Sequence, residues 1–180
     1  MKKYKLTDET ITIDGVTLYR IEALKDITAG VRKGDKGGFV ESEANLSQRG
    51  AAWVYDEACV YGKAKVYDKA RVYGKAKVYG KAKVYGYARA FECAEVYDSA
   101  KVYGVAEVYG SAKVFNKAKI YDFAEAKDFA RIYGNAEVYD SARIFYNAEV
   151  YGNAEVYGNA DVYGNRKVYG EMLIHTGRIK

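Results

Sequence analysis

The chain has 180 residues, a formal net charge of +5 and 49% hydrophobic residues, a share raised by its 20 tyrosines. That length fits one domain, and no apolar run approaches the ~20 residues of a membrane-spanning helix. The Met-Lys-Lys-Tyr start lacks the apolar core of a secretion signal, and two cysteines, Cys59 and Cys93, are too few for a disulfide framework. Two unpaired thiols fit a reducing cytosol, so the expected localisation is cytoplasmic.

Residues 1–46 read as an N-terminal hairpin cap with the first repeat strands. Thr10-Ile11-Thr12-Ile13 and Val16-Thr17-Leu18-Tyr19-Arg20-Ile21 flank Asp14-Gly15, a strong hairpin signal. Lys33-Gly34-Asp35-Lys36-Gly37-Gly38 reads as a mobile turn; no Gly-Lys-Ser/Thr follows at phosphate-loop spacing. Val40, Ala44 and Leu46 begin a repeat register, and eight residues rather than six separate Leu46 from Val54. The segment is expected to cover the open edge of the first coil, whose N–H and C=O groups would otherwise invite another chain.

Residues 47–170 carry a six-residue repeat: aliphatic, Tyr, Gly or Asp, polar, Ala, charged. The aliphatic slot runs Val54, Val60, Val66, Val72 and on to Val168, broken by Ala90 and Ala126. From Ala58 to Ala160 every sixth residue is Ala, eighteen in succession. Apolar positions four apart do not make a helical stripe. They fit a short strand and a corner: Ala and the aliphatic residue two places on share one side, while the charged residue and Tyr face outward. Gly or Asp with Asn, Lys or Ser supplies the corner.

This pattern resembles the hexapeptide-repeat left-handed β-helix family, written aliphatic-x-x-x-small-x. The resemblance implies an all-β, left-handed parallel β-helix, three-sided with 18 residues per coil, and a filled, narrow interior. Twenty hexads then make nearly seven coils, a rod ~35 Å long at the strand spacing of ~4.8 Å. The head carries a second resemblance. Leu6-Thr7-Asp8-Glu9-Thr10, Leu18-Tyr19-Arg20-Ile21-Glu22-Ala23-Leu24 and Gly37-Gly38-Phe39-Val40-Glu41-Ser42-Glu43, followed by Trp53-Val54-Tyr55-Asp56, look like small proteins of bacteriophage and prophage genomes. That implies a phage-encoded accessory protein and names no activity. Residues 171–180 read as a closing strand, Met172-Leu173-Ile174, with a basic tail. Arg166 breaks the Ala slot just before it, and His175 reads as an inert surface group.

Hexapeptide acyltransferases generally use a His base near a subunit cleft, often beside an extruded loop. Here the repeat runs from Val54 to Val168 with neither His nor insertion, and a zinc site would need several His ligands. Glu95, Glu107, Glu125 and Glu137 occupy a solvated slot. The expectation is a protein with no catalytic residue, no cofactor and no metal, and an acyltransferase is the weakest of the alternatives.

Function is therefore expected on the outside. Tyr55, Tyr61, Tyr67, Tyr73 and their successors should stack in columns along three edges, stiffening the rod or presenting an aromatic surface. Residues 51–90 hold nine Lys/Arg (Lys63, Lys65, Lys69, Arg71, Lys75, Lys77, Lys81, Lys83 and Arg89) against three acids, net +6; residues 131–165 are net −3. This basic half is expected to encircle the rod, a solvated surface or an attraction for nucleic acid or an acidic protein. The column Lys69, Tyr87, Val105, Phe123, Ser141, Asn159 is apolar for three coils. Tyr87, Phe91, Val105, Tyr109, Phe123 and Phe129, beside the irregular Ala126-Lys127 hexad, are expected to form one exposed seam. The seam would make a homo-oligomer contact, dimer or trimer, or grip a host protein or defence complex as an inhibitor. A self-assembling structural protein is the alternative.

Overall fold

The computed structural model describes residues 2–180. Strands β1 (Tyr4–Ile13) and β2 (Val16–Ala23) form an antiparallel hairpin, and β3 (Lys36–Val40) pairs with β2. From Trp53–Val54 to Lys167–Val168 a two-residue strand then recurs every six residues. The strands stack into three parallel sheets whose partners lie 18 residues apart; Val96, for example, lies between Val78 and Val114. Face A runs from β3 through Cys59–Val60 to Lys167–Val168. Face B runs from Lys65–Val66 to Leu173–Ile174, and face C from Trp53–Val54 to Arg178–Ile179. The result is a β-solenoid of about eight turns, not nearly seven. The extra turn uses segments outside the regular repeat: β3 and a Leu46–Val66 bridge at the start, and the last two strands at the end.

The pattern of the repeat dictates this geometry. Every Ala from Ala58 to Ala160 and every aliphatic residue from Val54 to Val162 is fully buried, so the interior is solid. The charged residue and Tyr of each hexad look outward because side chains alternate along a strand. The corner residue takes a left-handed conformation, as in Asp98 (φ 56°) and Gly104 (φ 69°). Asp tolerates that region and gains a bond for it: the Asp140 and Asp68 carboxylates accept from the N–H of Gly158 and Gly86 one coil further on.

The head does more than cover an edge. Its hairpin extends face A lengthwise beyond the first coil, while Tyr4, Ile21 and Val31 plug the end of the tube beside Trp53 and Leu46. Carbonyls of the first coil are satisfied from the cap: Tyr4 Oη donates to Leu46 O at 2.8 Å, and the buried Lys3 Nζ to Ala52 O at 2.8 Å. Arg20 donates to Gly37 O and Asp56 O.

Three expectations about the ends need correction. Lys36-Gly37-Gly38 is strand, not mobile turn; a Cβ on Gly37 would lie 2.5 Å from Val54 O and 2.7 Å from an Ile21 side-chain carbon. Those glycines serve close packing. Ala44 points to solvent, and Asn45 is buried in its place, donating to Gly62 O and Ala64 O. The two residues added between Leu46 and Val54 are absorbed at the corner before Trp53, where Ala51 and Ala52 both donate to Asp68 O. Leu173–Ile174 and Arg178–Ile179 add parallel strands to faces B and C, so this tail continues the coil instead of closing it.

Candidate functional site

With the tube filled, chemistry is confined to the faces and the three corners between them. The outward aromatics lie on the faces beside the strands, not on the edges. Along each face neighbouring rings stack nearly parallel, for instance Tyr85–Tyr103 at 4.9 Å and Phe91–Tyr109 at 4.7 Å. Hydroxyls bond acids on the next coil: Tyr79 to Glu95 at 3.0 Å, Tyr109 to Glu125 at 3.2 Å, Tyr133 to Glu149 at 3.0 Å. Burial within the stack pushes the phenols up, Tyr103 to about 12. Ring faces are thus already covered, and the ladders present only ring edges and hydroxyls. His175, exposed as expected, continues the face B ladder over Tyr157, with centroids 4.9 Å apart and its ring tilted by 51°.

The face C ladder is the irregular one. Tyr55 meets Tyr73 edge-on at 6.4 Å instead of stacking. Further along, Lys127 replaces a ring, its Nζ 5.8 Å and 5.4 Å from the centroids of Tyr109 and Phe145 and 3.8 Å from Glu125.

The expected seam resolves into two parts. Tyr87, Val105 and Phe123 form one row on the corner between faces B and C and are 57%, 39% and 66% exposed. Lys69 begins that row and donates to Tyr87 Oη at 2.7 Å. Phe91, Tyr109 and Lys127 lie half-buried in the adjoining ladder. Phe129 is 64% exposed but sits on the far corner of face C, toward face A. The patch is therefore not contiguous: ionic residues cross it, with Arg89 paired to Glu107 and Glu125 accepting from Tyr109 Oη at 3.2 Å. Phe129 has instead a neighbour that sequence reasoning missed. Tyr146, 55% exposed, holds φ at 55°, and its carbonyl accepts from the Phe129 N–H. The signal was present, since Tyr146 stands where the other repeats place mostly Gly, Asp or Asn.

A second omission is the Thr28-Ala29-Gly30 segment of the head. It overhangs face C and walls a cleft of about 480 Å³ with Tyr55, Asp56, Arg71, Tyr73 and Arg89. A neighbouring cleft of about 370 Å³ takes in Lys69, Tyr87 and Val105.

The basic residues lie all round the rod. Lys63 and Lys81 are on the corner between faces A and B, Lys65 and Lys83 on face B, Lys69 on the corner between B and C. Arg71 and Arg89 are on face C, Lys75 is on the corner between C and A, and Lys77 is on face A. Both cysteines are free; burial pushes the Cys59 thiol up to about 11, while Cys93 is exposed. Among the described residues no group of three or more His, Cys, Asp or Glu is placed to hold a metal ion.

Compared with known proteins, residues 130–146 match a family model described as the YdcK beta solenoid repeat, about one coil of this chain. No curated protein matches the chain. The chain thus carries a β-solenoid repeat on both its own architecture and that match.

Proposed function

We propose that this chain is a non-catalytic binding protein that docks a protein partner with face C and the corner between faces B and C. One observation carries the reading: on a rod whose interior is solid, Tyr87, Val105 and Phe123 leave an apolar row in solvent beside Lys69, Arg71 and Arg89. Exposed apolar patches rimmed by charge in soluble proteins mark interfaces. The likeness of the head and of the hexapeptide pattern to small phage proteins extends the proposal to a host protein or defence complex, inhibited by the docked rod in the host cytoplasm.

The test is the variant Tyr87→Lys/Phe123→Lys, two exposed positions that leave the core untouched. Co-purification of a defined host partner should be lost with circular dichroism unchanged. A partner retained at wild-type yield by this variant overturns the assignment of the surface.

A second reading, self-association, has its own observation. Down face C the outward charges run Arg71, Arg89, Glu107, Glu125. A second copy laid antiparallel across this face would set Arg89 against Glu107 and Arg71 against Glu125, in the self-complementary manner of a two-fold interface. Light scattering of the purified chain distinguishes the two: a dimer that Arg71→Glu dissociates, and that Arg71→Glu/Glu125→Arg restores, supports self-association.

A further inference from the structure

Four lysines follow one another along face B: Lys65, Lys83, Lys101 and Lys119 are register partners on adjacent strands. Lys63, Lys81 and Lys117 occupy the corner beside them. Like charges directly opposite on neighbouring strands are destabilising, and the other faces limit them. On face A the order is Lys77, Glu95, Lys113, Arg131, Glu149; on face C no sign persists for more than two strands. Those faces also pair their charges, as in Lys113–Glu95 at 3.1 Å. Among the described residues only Lys119 of the seven has a carboxylate partner, Glu137 at 2.6 Å. Of the acids on the flanking corners, Asp68 and Asp98 accept from the backbone N–H of Gly86 and Asn116.

Beside the lysines, Tyr67, Tyr85 and Tyr103 stack at 4.8 and 4.9 Å, so their ring faces are shut and only hydroxyl edges emerge. The surface offers compact cations and hydroxyl donors in a straight row, spanning ~14 Å at the usual strand spacing. We propose that face B docks the phosphate backbone of double-stranded nucleic acid, without reading its sequence. Lysine is a point-charge binder of phosphate, and backbone contacts position a duplex without specifying bases. Single-strand binding relies on open aromatic faces on which bases stack, and the closed ladder has none. This surface is separate from the one assigned to the protein partner, and neither rests on the other.

The experiment is fluorescence anisotropy of a short duplex DNA of mixed sequence, titrated with the full chain over a series of salt concentrations. The intact protein should bind at low salt with a log–log slope of about −4 to −6, close to 0.9 per phosphate contacted. Lys65→Gln/Lys83→Gln/Lys101→Gln, all surface positions, should weaken binding at least ~10-fold and flatten the slope by about 3. Lys75→Gln/Lys77→Gln, on other faces, should change the slope by less than about 1. No duplex binding at low salt overturns the proposal, as does an equal loss in both variants, which would mean diffuse attraction to a cationic rod. So does binding of fluorescent polyglutamate or oligo-dT that depends on the face B lysines while the duplex fails to bind.

Discussion

Ala126 and Ala90 stand in the slot where the other repeats place Val or Ile, and both are fully buried on face C. Ala126 lies between Val108 and Ile144, so its column narrows by two methyl groups at one level. Ala126→Val should fill that space and raise stability by about 1 kcal/mol, read as a higher urea midpoint. Ala118→Leu, in the slot that is Ala on every coil, should overpack and cost about 1–3 kcal/mol. If Ala126→Val is the more damaging of the two, the slots have been assigned to the wrong depths. Tyr146 offers the converse test, because a bulky side chain in the left-handed region costs about 1–2 kcal/mol. Tyr146→Gly should gain about 1 kcal/mol after loss of its contact with Phe145. A gain at that position would mean that this corner is kept strained for something other than folding. At this scale the sequence was almost fully legible, since Ala, aliphatic and corner slots each obey a local steric rule. The exposed seam was only half legible: slot arithmetic placed Tyr87, Val105 and Phe123 in one row, but it gave no measure of the distance across face C that separates them from Phe129.

The cap is the element that most needs tertiary contacts. Tyr4 is fully buried, packs edge-on against Trp53 and donates to a carbonyl of the first coil. Tyr4→Phe keeps the ring and strands that carbonyl, a loss of about 1 kcal/mol. Tyr4→Ala removes the plug and should cost about 3–5 kcal/mol, with fraying concentrated in the first coils. Trp53 is the only tryptophan, so its emission reports this end alone. Tyr4→Ala should shift that emission to the red at denaturant concentrations where far-ultraviolet dichroism is still native. Coincident transitions would mean that the cap and rod melt as one unit and would defeat the local-fraying expectation. The Asp14-Gly15 turn was readable because its φ values, 51° and 78°, are the local demand of a tight hairpin. Gly37 and Gly38 read as a loop because their reason is non-local: Ile21 presses against them from β2, and Val54 and Ala58 from the first coil. The overhang of Thr28 to Gly30 above Arg71 was invisible for the same cause, being decided by where the head packs rather than by its composition.

Across the whole molecule each residue repeats its neighbour's environment one coil away, so small perturbations add along a ladder. The tyrosines show this most clearly. Desolvation within the stacks raises the phenols of Tyr61, Tyr103 and Tyr139 to about 12, and Tyr67, Tyr73, Tyr85, Tyr97 and Tyr133 move the same way. Unfolded tyrosine titrates near ~10. Between that value and about 12 the folded chain keeps protons that the unfolded chain releases, so stability falls as pH rises. The contribution is complete below pH ~10 and is lost as pH climbs through the folded values. Lys3 acts in the opposite sense: burial lowers its ammonium to about 8, so the native state gains as pH rises from there toward the unfolded value of 10.5. One lysine set against twelve raised phenols, Tyr4, Tyr79, Tyr109 and Tyr121 among them, and the raised Cys59 thiol leaves a profile that rises slightly from pH 8 toward ~9 and drops steeply past ~10. Urea midpoints measured through this range, with phenolate absorbance followed in parallel, check it directly. The expected result is a phenolate transition delayed well past pH ~10 that coincides with the collapse of the midpoint. Tyrosines that ionise near pH ~10 in a rod of unchanged stability would mean that the stacked rings are open to water, and the account of face B as a closed ladder of hydroxyl edges would fall with them.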